Sequence, residues 1–542
     1  MRPFLTLHHP AAAARHYADG TWRRDTFYSL MRGHADRNPD RLALNDGRHR
    51  LTWAQLASWV DGMAADLHRQ GIERGDRVSL WLGNRAEVVV AFLACCRNGV
   101  ACNPSLHRTY TSTDIVALLD RLRAKALLTE AGWGADAAGA DTMAVLKGAA
   151  SVRRIYTPAD FPKPGAADVA PVEDPDKVVY LAFTSGTTGV PKCVMHSDNS
   201  LLANARDLVR DWNHGADTKL LSLSPLSHHI AWVAVAQWLV AGCTLITDNP
   251  PAGMSRLGWI VESGATYVMG VPTHAMDILA EQQRLGMAQL GAVELFYMAG
   301  APIPPSVCEA FVKNGIKPQN IYGMTENSSH QYTHPTDDNA VITATCGRGG
   351  KAYEVRLFDT ADGNREVPAG TVGQIGGRGA ALMLGYFANQ DATEASFNRD
   401  GWFLSGDLGV LDEKGNLSIE GRLKDLIIRG GHNIYPAQIE ALALRHPAVQ
   451  RVACYPVSDE RLGERVCIAV IGEVEAYPLL EHLAEQGLSK FDMPEYFLRV
   501  AQFPLTPSGK ILKRDLIDMT KRGDLAPVAV RWVPANAQTR AG

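Results

Sequence analysis

Residues 182–193, AFTSGTTGVPKC, set Thr184, Ser185, Thr187 and Thr188 around Gly186 and Gly189, with Lys192 near the end. Glycines permit a tight backbone whose N–H groups converge on an anion. The hydroxyls add donors, and Lys192 adds a point charge suited to a polyphosphate. Glycine- and serine-rich stretches after a strand are commonly plain turns. The hydroxyl pairs and the lysine point beyond that, to phosphate. A Walker A loop needs a glycine, four residues, then Gly-Lys-Ser/Thr. Here Gly186 and Gly189 are separated by two residues, Lys192 follows Pro191, and Cys193 stands where Ser or Thr would. The pattern argues against a P-loop NTPase. With Pro191 as its only steric anchor, the loop is expected to be mobile and to close over its ligand.

The elements that must carry this loop alternate between helix and strand. TFYSLMRGHADR reads as an amphipathic helix, and LTWAQLASWVDGMAADLHRQG as a longer one stopped at Gly71. DRVSLWLG is a strand and the run around Val88–Cys96 a buried helix. VVYLAF, KLLSLS, CTLIT and ATYVMGVP are further strands, with LLANARDLVRDW a helix between the first two. Such alternation predicts α/β layers with largely parallel sheets. After about residue 350 short strands broken by glycine turns (YEVRLFD, GTVGQIGGRG, GNLSIEG) suggest a β-rich subdomain. Two strands and two helices then suggest a small α+β unit. We place the boundary at EGRLKD, giving a large N-terminal domain, 1–421, and a small mobile C-terminal domain, 422–542. The tail after about Ala526 has little periodicity and is expected to be loosely held.

The 542-residue chain is too long for one core. Its net charge of −4 gives no sign of a nucleic-acid or membrane-surface partner. The nine cysteines show no CxxC pair or metal-ligand spacing, so Cys95, Cys96 and Cys102 read as small buried hydrophobes in a reducing compartment. No apolar run is long enough to span a bilayer and the first residues lack a signal-peptide core, so a cytoplasmic location is expected.

TSGTTGVPK resembles the phosphate signature of the adenylate-forming enzymes: acyl-CoA synthetases, nonribosomal peptide adenylation domains and luciferases. The resemblance continues through ordered blocks over roughly residues 25–520. It implies that the loop, Thr184 to Gly189 with Lys192, holds the β- and γ-phosphates of ATP. AGAPIP is similar to the adenine-side segment, with Gly300, Ala301 and Pro302 lining the base. YGMTE is similar to the α-phosphate block: Tyr322 flanks adenine beside Gly323, Thr325 bonds phosphate, and Glu326 holds Mg²⁺, a hard cation that takes carboxylate oxygen. In GWFLSGDLG the resemblance makes Asp407 the acceptor for both ribose hydroxyls. In EGRLKDLIIRGGHNIYP it assigns Arg422 to the ribose and phosphate region, Lys424 to the hinge, and Gly430 and Gly431 to the coenzyme A step. PLTPSGKILKRDL supplies Lys510, which would bridge the substrate carboxylate and the α-phosphate. In SPLSHHIAW, His228 would steer acyl and thiol traffic. Lys510, His228, Thr325 and Glu326 are thus the implied catalytic set. The family usually continues Lys-Gly where this chain has Lys192-Cys193, a departure past the cradle that bears on local packing.

The implied reaction is carboxylate attack on the α-phosphate of ATP, giving acyl-AMP and pyrophosphate. The small domain then rotates about Lys424, and coenzyme A takes the acyl group. By block position the acyl pocket comprises His229, Trp232, Met269, Gly270, Ala299, Gly323 and Met324, an apolar lining with bulk from Trp232. VMHSDNSLLANARDLVRDW is most similar to alicyclic-acid CoA ligases of the cyclohexanecarboxylate type. Medium-chain fatty acids, benzoate-like acids, and an aryl-acid enzyme loading a carrier protein are the alternatives. A luciferase-like oxidase and a non-catalytic acyl or nucleotide sensor lie further off. A homodimer, and control by acylation of Lys510, are further expectations.

Overall fold

The computed structural model describes residues 9–184, 191–301, 303–505 and 511–532. The chain divides into two compact units. One holds the chain through Val355 together with Gly377–Phe397, and the other holds Arg356–Gly376 with the chain from Asn398 onward.

The first unit is built on two sheets. The eight-stranded sheet runs, edge to edge, Ser328–Tyr332, Lys317–Met324, Leu295–Ala299, Tyr267–Gly270, Lys219–Ser222, Thr244–Thr247, Leu42–Asn45 and Arg50–Thr52. Its pairs are parallel except at the two edges. The seven-stranded sheet runs Gly385–Tyr386, Cys193–Ser197, Val178–Phe183, Ala101–Asn103, Arg77–Leu80, Ala126–Leu128 and Arg154–Tyr156. The predicted α/β layering is what forms. Strands such as VVYLAF are continuous apolar runs because both faces of these largely parallel sheets are buried.

A shared core joins the sheets. The helix His229–Ala241 carries no polar stripe and is buried continuously from Ala231 to Leu239, as a helix apolar all round must be. Trp238 stacks on Trp53 at 5.1 Å, and Trp232 packs on Phe92 at 4.2 Å. The helix Asp198–Asp211 starts where the strand Cys193–Ser197 ends, through reciprocal Ser197 and Ser200 bonds. Asp198 at its first turn is fully buried and pairs with Lys177 at 2.6 Å. Asp198 also accepts the Phe27 N–H at 2.7 Å. This pair fixes where the helix begins, and so the strand before it.

A four-stranded sheet (Tyr353–Phe358, Gly373–Gly379, Phe403–Leu411, Leu417–Arg422) lies mostly in the second unit. A further sheet there is centred on the hairpin Val449–Asp459 and Gly463–Gly472. The short 3₁₀ turn Leu423–Asp425 links the two. The described part of the tail, through residue 532, holds one short strand. Val528–Ala529 pairs with Tyr496–Arg499 as an edge strand, because a short apolar stretch finds an unpaired edge. All nine cysteines are free and buried, and among the described residues no helix is long and apolar enough to cross a membrane.

Replacing Lys177 with Met leaves the Asp198 carboxylate buried without its cation. Breaking such a pair costs about 3–5 kcal/mol. Urea unfolding of the first unit should show a loss of that order, and an unchanged midpoint contradicts the anchoring role.

Candidate active site

The phosphate loop springs from a β-hairpin. Phe183 faces Cys193 across the antiparallel pair, and the Thr184 N–H donates to the Lys192 carbonyl at 2.8 Å. Arg121 donates to the Pro191 carbonyl at 2.5 Å and lies over the Phe183 ring. The hairpin therefore closes at both sides of the loop. Ser185, Gly186, Thr187, Thr188 and Gly189 themselves lie outside the described residues. Cys193 is buried, and burial pushes its thiol up to about 12. Its carbonyl accepts the Phe387 N–H at 2.7 Å, so the residue that departs from the family pattern faces a packed interior. The Lys192 ammonium sits 4.6 Å from the centre of the Tyr386 ring.

Thr325 and Glu326 occupy the turn between the strands Lys317–Met324 and Ser328–Tyr332. Asn327 ties the turn: its side-chain oxygen accepts the Met324 N–H at 3.1 Å and its amide donates to the Tyr353 hydroxyl at 3.1 Å. The approach to the turn demands glycine at 323, where an added Cβ would lie 1.7 Å from the Ser328 carbonyl oxygen. Tyr322 is buried and meets the His330 ring edge-on at 5.4 Å. The turn is gripped from the other sheet. His196 Nε2 donates to the Thr325 carbonyl at 2.6 Å, and its Nδ1 lies 3.0 Å from the Ser200 hydroxyl. The Met383 N–H donates to the Glu326 carbonyl at 2.7 Å. The Tyr386 hydroxyl donates to Glu326 Oε1 at 2.9 Å. Glu326 is buried, a carboxylate held in place beside a lysine-bearing loop.

His228 occupies the N-cap position of the buried helix, and its ring lies 4.4 Å from that of His107. His107 in turn meets the Ser227 hydroxyl at 3.2 Å. His229 holds the Tyr180 hydroxyl at 3.1 Å through Nδ1 and the Ser328 hydroxyl at 3.0 Å through Nε2. Burial lowers His107 to about 3, with His228 adding to it. Burial likewise lowers His229 to about 3, with His196 adding, and lowers His196 to about 4. These imidazoles are neutral at physiological pH. Among the other residues assigned to the acyl side, Trp232 and Met269 are closed into the core. Gly270 is backed by His274 and Leu223, while Gly323 and Met324 are half-buried. Gly300 and Ala301 are exposed just past Ala299, at the end of its strand; Pro302 lies outside the described residues.

Within the second unit, Asp407 and Arg422 are cross-strand partners, joined Oδ1 to Nε at 3.2 Å. Lys424 lies in the 3₁₀ turn, where burial and then Arg422 lower its ammonium. Gly430 and Gly431 form the two-residue turn between Ile427–Arg429 and His432–Ile434, with φ of 59° and 86°. A hairpin turn with both central residues at positive φ favours glycine. Lys510 lies outside the described residues. Beside it, Leu505 and Ile511 form an antiparallel bridge, and Lys513 pairs with Glu440 at 2.7 Å.

The sequence reading missed His196, Tyr180, Ser328 and Tyr386. A histidine inside the apolar strand VMHS, and the tyrosine of LGYF, were the available signals.

The chain belongs to the AMP-binding enzyme family, whose model matches residues 31–387, while the model of the AMP-binding enzyme C-terminal domain matches residues 438–510. It is 28% identical to a medium-chain fatty-acid–CoA ligase of Escherichia coli, over 95% of this chain and 93% of that protein. It is 30% identical to a methyl-dioxo-octahydroindenyl-propanoyl:CoA ligase of Mycobacterium tuberculosis, over 89% of this chain and 96% of that one. The crystal structure of ATP-bound MatB from Rhodopseudomonas palustris superimposes with a TM-score of 0.80 at 27% identity, covering 92% of this chain and 99% of the other.

Gly323→Ala forces the Ser328 carbonyl aside. The hairpin should lose about 1–3 kcal/mol, and ATP–pyrophosphate exchange should fall with it; exchange at the wild-type rate contradicts the packing argument. The neutral histidines make a second prediction. Folded His196 and His229 titrate at about 4 and about 3, below the free imidazole value of 6.5. Between those values the unfolded chain binds protons that the folded chain refuses. Their contribution is therefore complete above pH 6.5 and is lost as pH falls below it. Melting temperature should drop between pH 7 and pH 5, and a flat profile rejects the neutral state.

Proposed function

We propose that the carboxylic acid activated by this enzyme is compact, uncharged and alicyclic, of the cyclohexanecarboxylate kind. The enzyme is an ATP-dependent acid–thiol ligase that makes acyl-CoA by way of an acyl adenylate. One observation carries the choice of acid. The residues assigned to the acyl side bear no formal charge, and the one ionisable side chain among them, His229, is held neutral by burial. An ammonium group or a second carboxylate would find no counter-charge there. Trp232 and Met269 are buried, and the bulk of Trp232 at its block position suits a compact acid. The M. tuberculosis relative, named for a fused-ring acid, fits the same reading.

In this reading the substrate carboxylate attacks the α-phosphate, the bond to the β-phosphate breaks, and pyrophosphate leaves. Lys510 neutralises the two approaching anions, Thr325 bonds the α-phosphate, and Lys192 holds the departing phosphates. Glu326 suits Mg²⁺, since its oxygens are hard donors fixed by neighbours; the ion would offset charge on the triphosphate. Asp407 receives the ribose hydroxyls. Rotation about Lys424 then brings the Gly430–Gly431 turn to the acyl adenylate. The coenzyme A sulfur attacks the acyl carbonyl, and AMP leaves with its electron pair.

The test is a panel of cyclohexanecarboxylate, benzoate, octanoate and acetate with ATP, Mg²⁺ and coenzyme A, reading AMP and thioester by mass spectrometry. Cyclohexanecarboxylate should lead in kcat/KM by about tenfold, a size of discrimination that one or two methylenes provide. Octanoate in the lead rejects the alicyclic assignment, and AMP without thioester rejects coenzyme A as acceptor. Lys510→Ala should lose about a hundredfold or more of the adenylation rate.

A further inference from the structure

We propose that Tyr386 is a positioning residue that couples the phosphate-loop lysine to the metal-binding carboxylate and thereby sets affinity for the metal–nucleotide complex. This rests on the roles given above to Lys192 and Glu326. Two independent contacts meet on one side chain. The hydroxyl donates to Glu326 Oε1 at 2.9 Å, and the face of the ring receives the Lys192 ammonium at 4.6 Å.

The ring is itself fixed. Tyr386 is buried and lies in register with Val194, on the strand that follows Lys192. Its N–H donates to the Thr393 hydroxyl at 3.0 Å. The next residue, Phe387, bonds back to Cys193 at 2.7 Å. Met383, three residues earlier, bonds the Glu326 carbonyl at 2.7 Å. One short segment thus holds both the backbone and the side chain of Glu326.

A hydrogen bond to one oxygen of a metal-binding carboxylate restricts its rotation and fixes its presentation to the ion. A π-face in contact with an ammonium orients that cation without neutralising it. A single tyrosine doing both places the carboxylate for the metal and the lysine for the phosphates at a set separation. The metal–triphosphate complex is the ligand that reads that separation.

The experiment is calorimetric titration of the full chain with Mn²⁺·ATP, and with ATP in EDTA, no acid being present. Tyr386→Phe keeps the ring and removes the hydroxyl; Tyr386→Leu removes both contacts. Tyr386→Phe should weaken Mn²⁺·ATP about tenfold, the usual scale for losing a partner of a metal ligand, and leave metal-free ATP within about twofold. Tyr386→Leu should weaken both. Glu326→Gln is the reference. If Glu326→Gln loses Mn²⁺·ATP affinity and Tyr386→Phe does not, the positioning role is overturned while the site assignment stands. If Glu326→Gln binds normally, the assignment of Glu326 falls and the coupling with it. A loss in Tyr386→Phe that also appears with metal-free ATP, or that tracks a fallen melting temperature, likewise overturns the proposal.

Discussion

Three hydrogen bonds, two from the seven-stranded sheet and one from the segment leading into it, hold the Thr325–Glu326 turn at the edge of the eight-stranded sheet. They come from His196, Met383 and Tyr386. The turn has little structure of its own, since it connects two strands whose pairing shifts register at Tyr322–Met324. Gly323 lets the strands approach, Asn327 ties the bend, and the opposing sheet fixes its direction. The phosphate-loop hairpin belongs to that opposing sheet, so the clamp also joins the loop to the turn. The core beneath, from Phe92 through Trp232, is shared by the two sheets.

Buried imidazoles are the second theme of this interior. His196 supplies one proton to a carbonyl and sits against a serine hydroxyl, and His229 bridges Tyr180 and Ser328. The two rings lie 5.7 Å apart, nearly parallel, and a charge on either would oppose a charge on the other. Burial keeps both neutral, so polar connections cross the core without bringing charge into it. The buried charge of this unit is carried instead by paired groups such as Asp198 and Lys177.

The elements were legible because their signals are local. VVYLAF, CTLIT and ATYVMGVP are strands by their unbroken apolar runs, and the helix around Val88–Cys96 by its apolar length. The phosphate loop and the Thr-Glu turn could be located because their residue types cluster within a few positions, whereas the pairing of Asp407 with Arg422, fifteen residues apart, shows only in the fold. His196 and Tyr386 were not. Their partners lie 129 and 60 residues away in the chain, and nothing in VMHS or LGYF states which turn they will meet. The division into units was equally hidden. Gly377–Phe397 returns to the first unit after the chain has entered the second, a re-entry set by pairing of Gly385–Tyr386 with Cys193–Ser197 rather than by any composition change.

The burial of all nine cysteines has a chemical consequence for an enzyme of this class. An acyl adenylate and a thioester are both acylating agents, and the group they acylate fastest is a thiolate. Burial pushes Cys193 and Cys243 to about 12 and Cys308 to about 11, and raises Cys96, Cys102 and Cys454 well above the ordinary thiol range. None of these sulfurs is a competent nucleophile at neutral pH. The reactive intermediate is thereby protected from capture by its own maker, and the incoming cosubstrate faces no rival sulfur from the polypeptide.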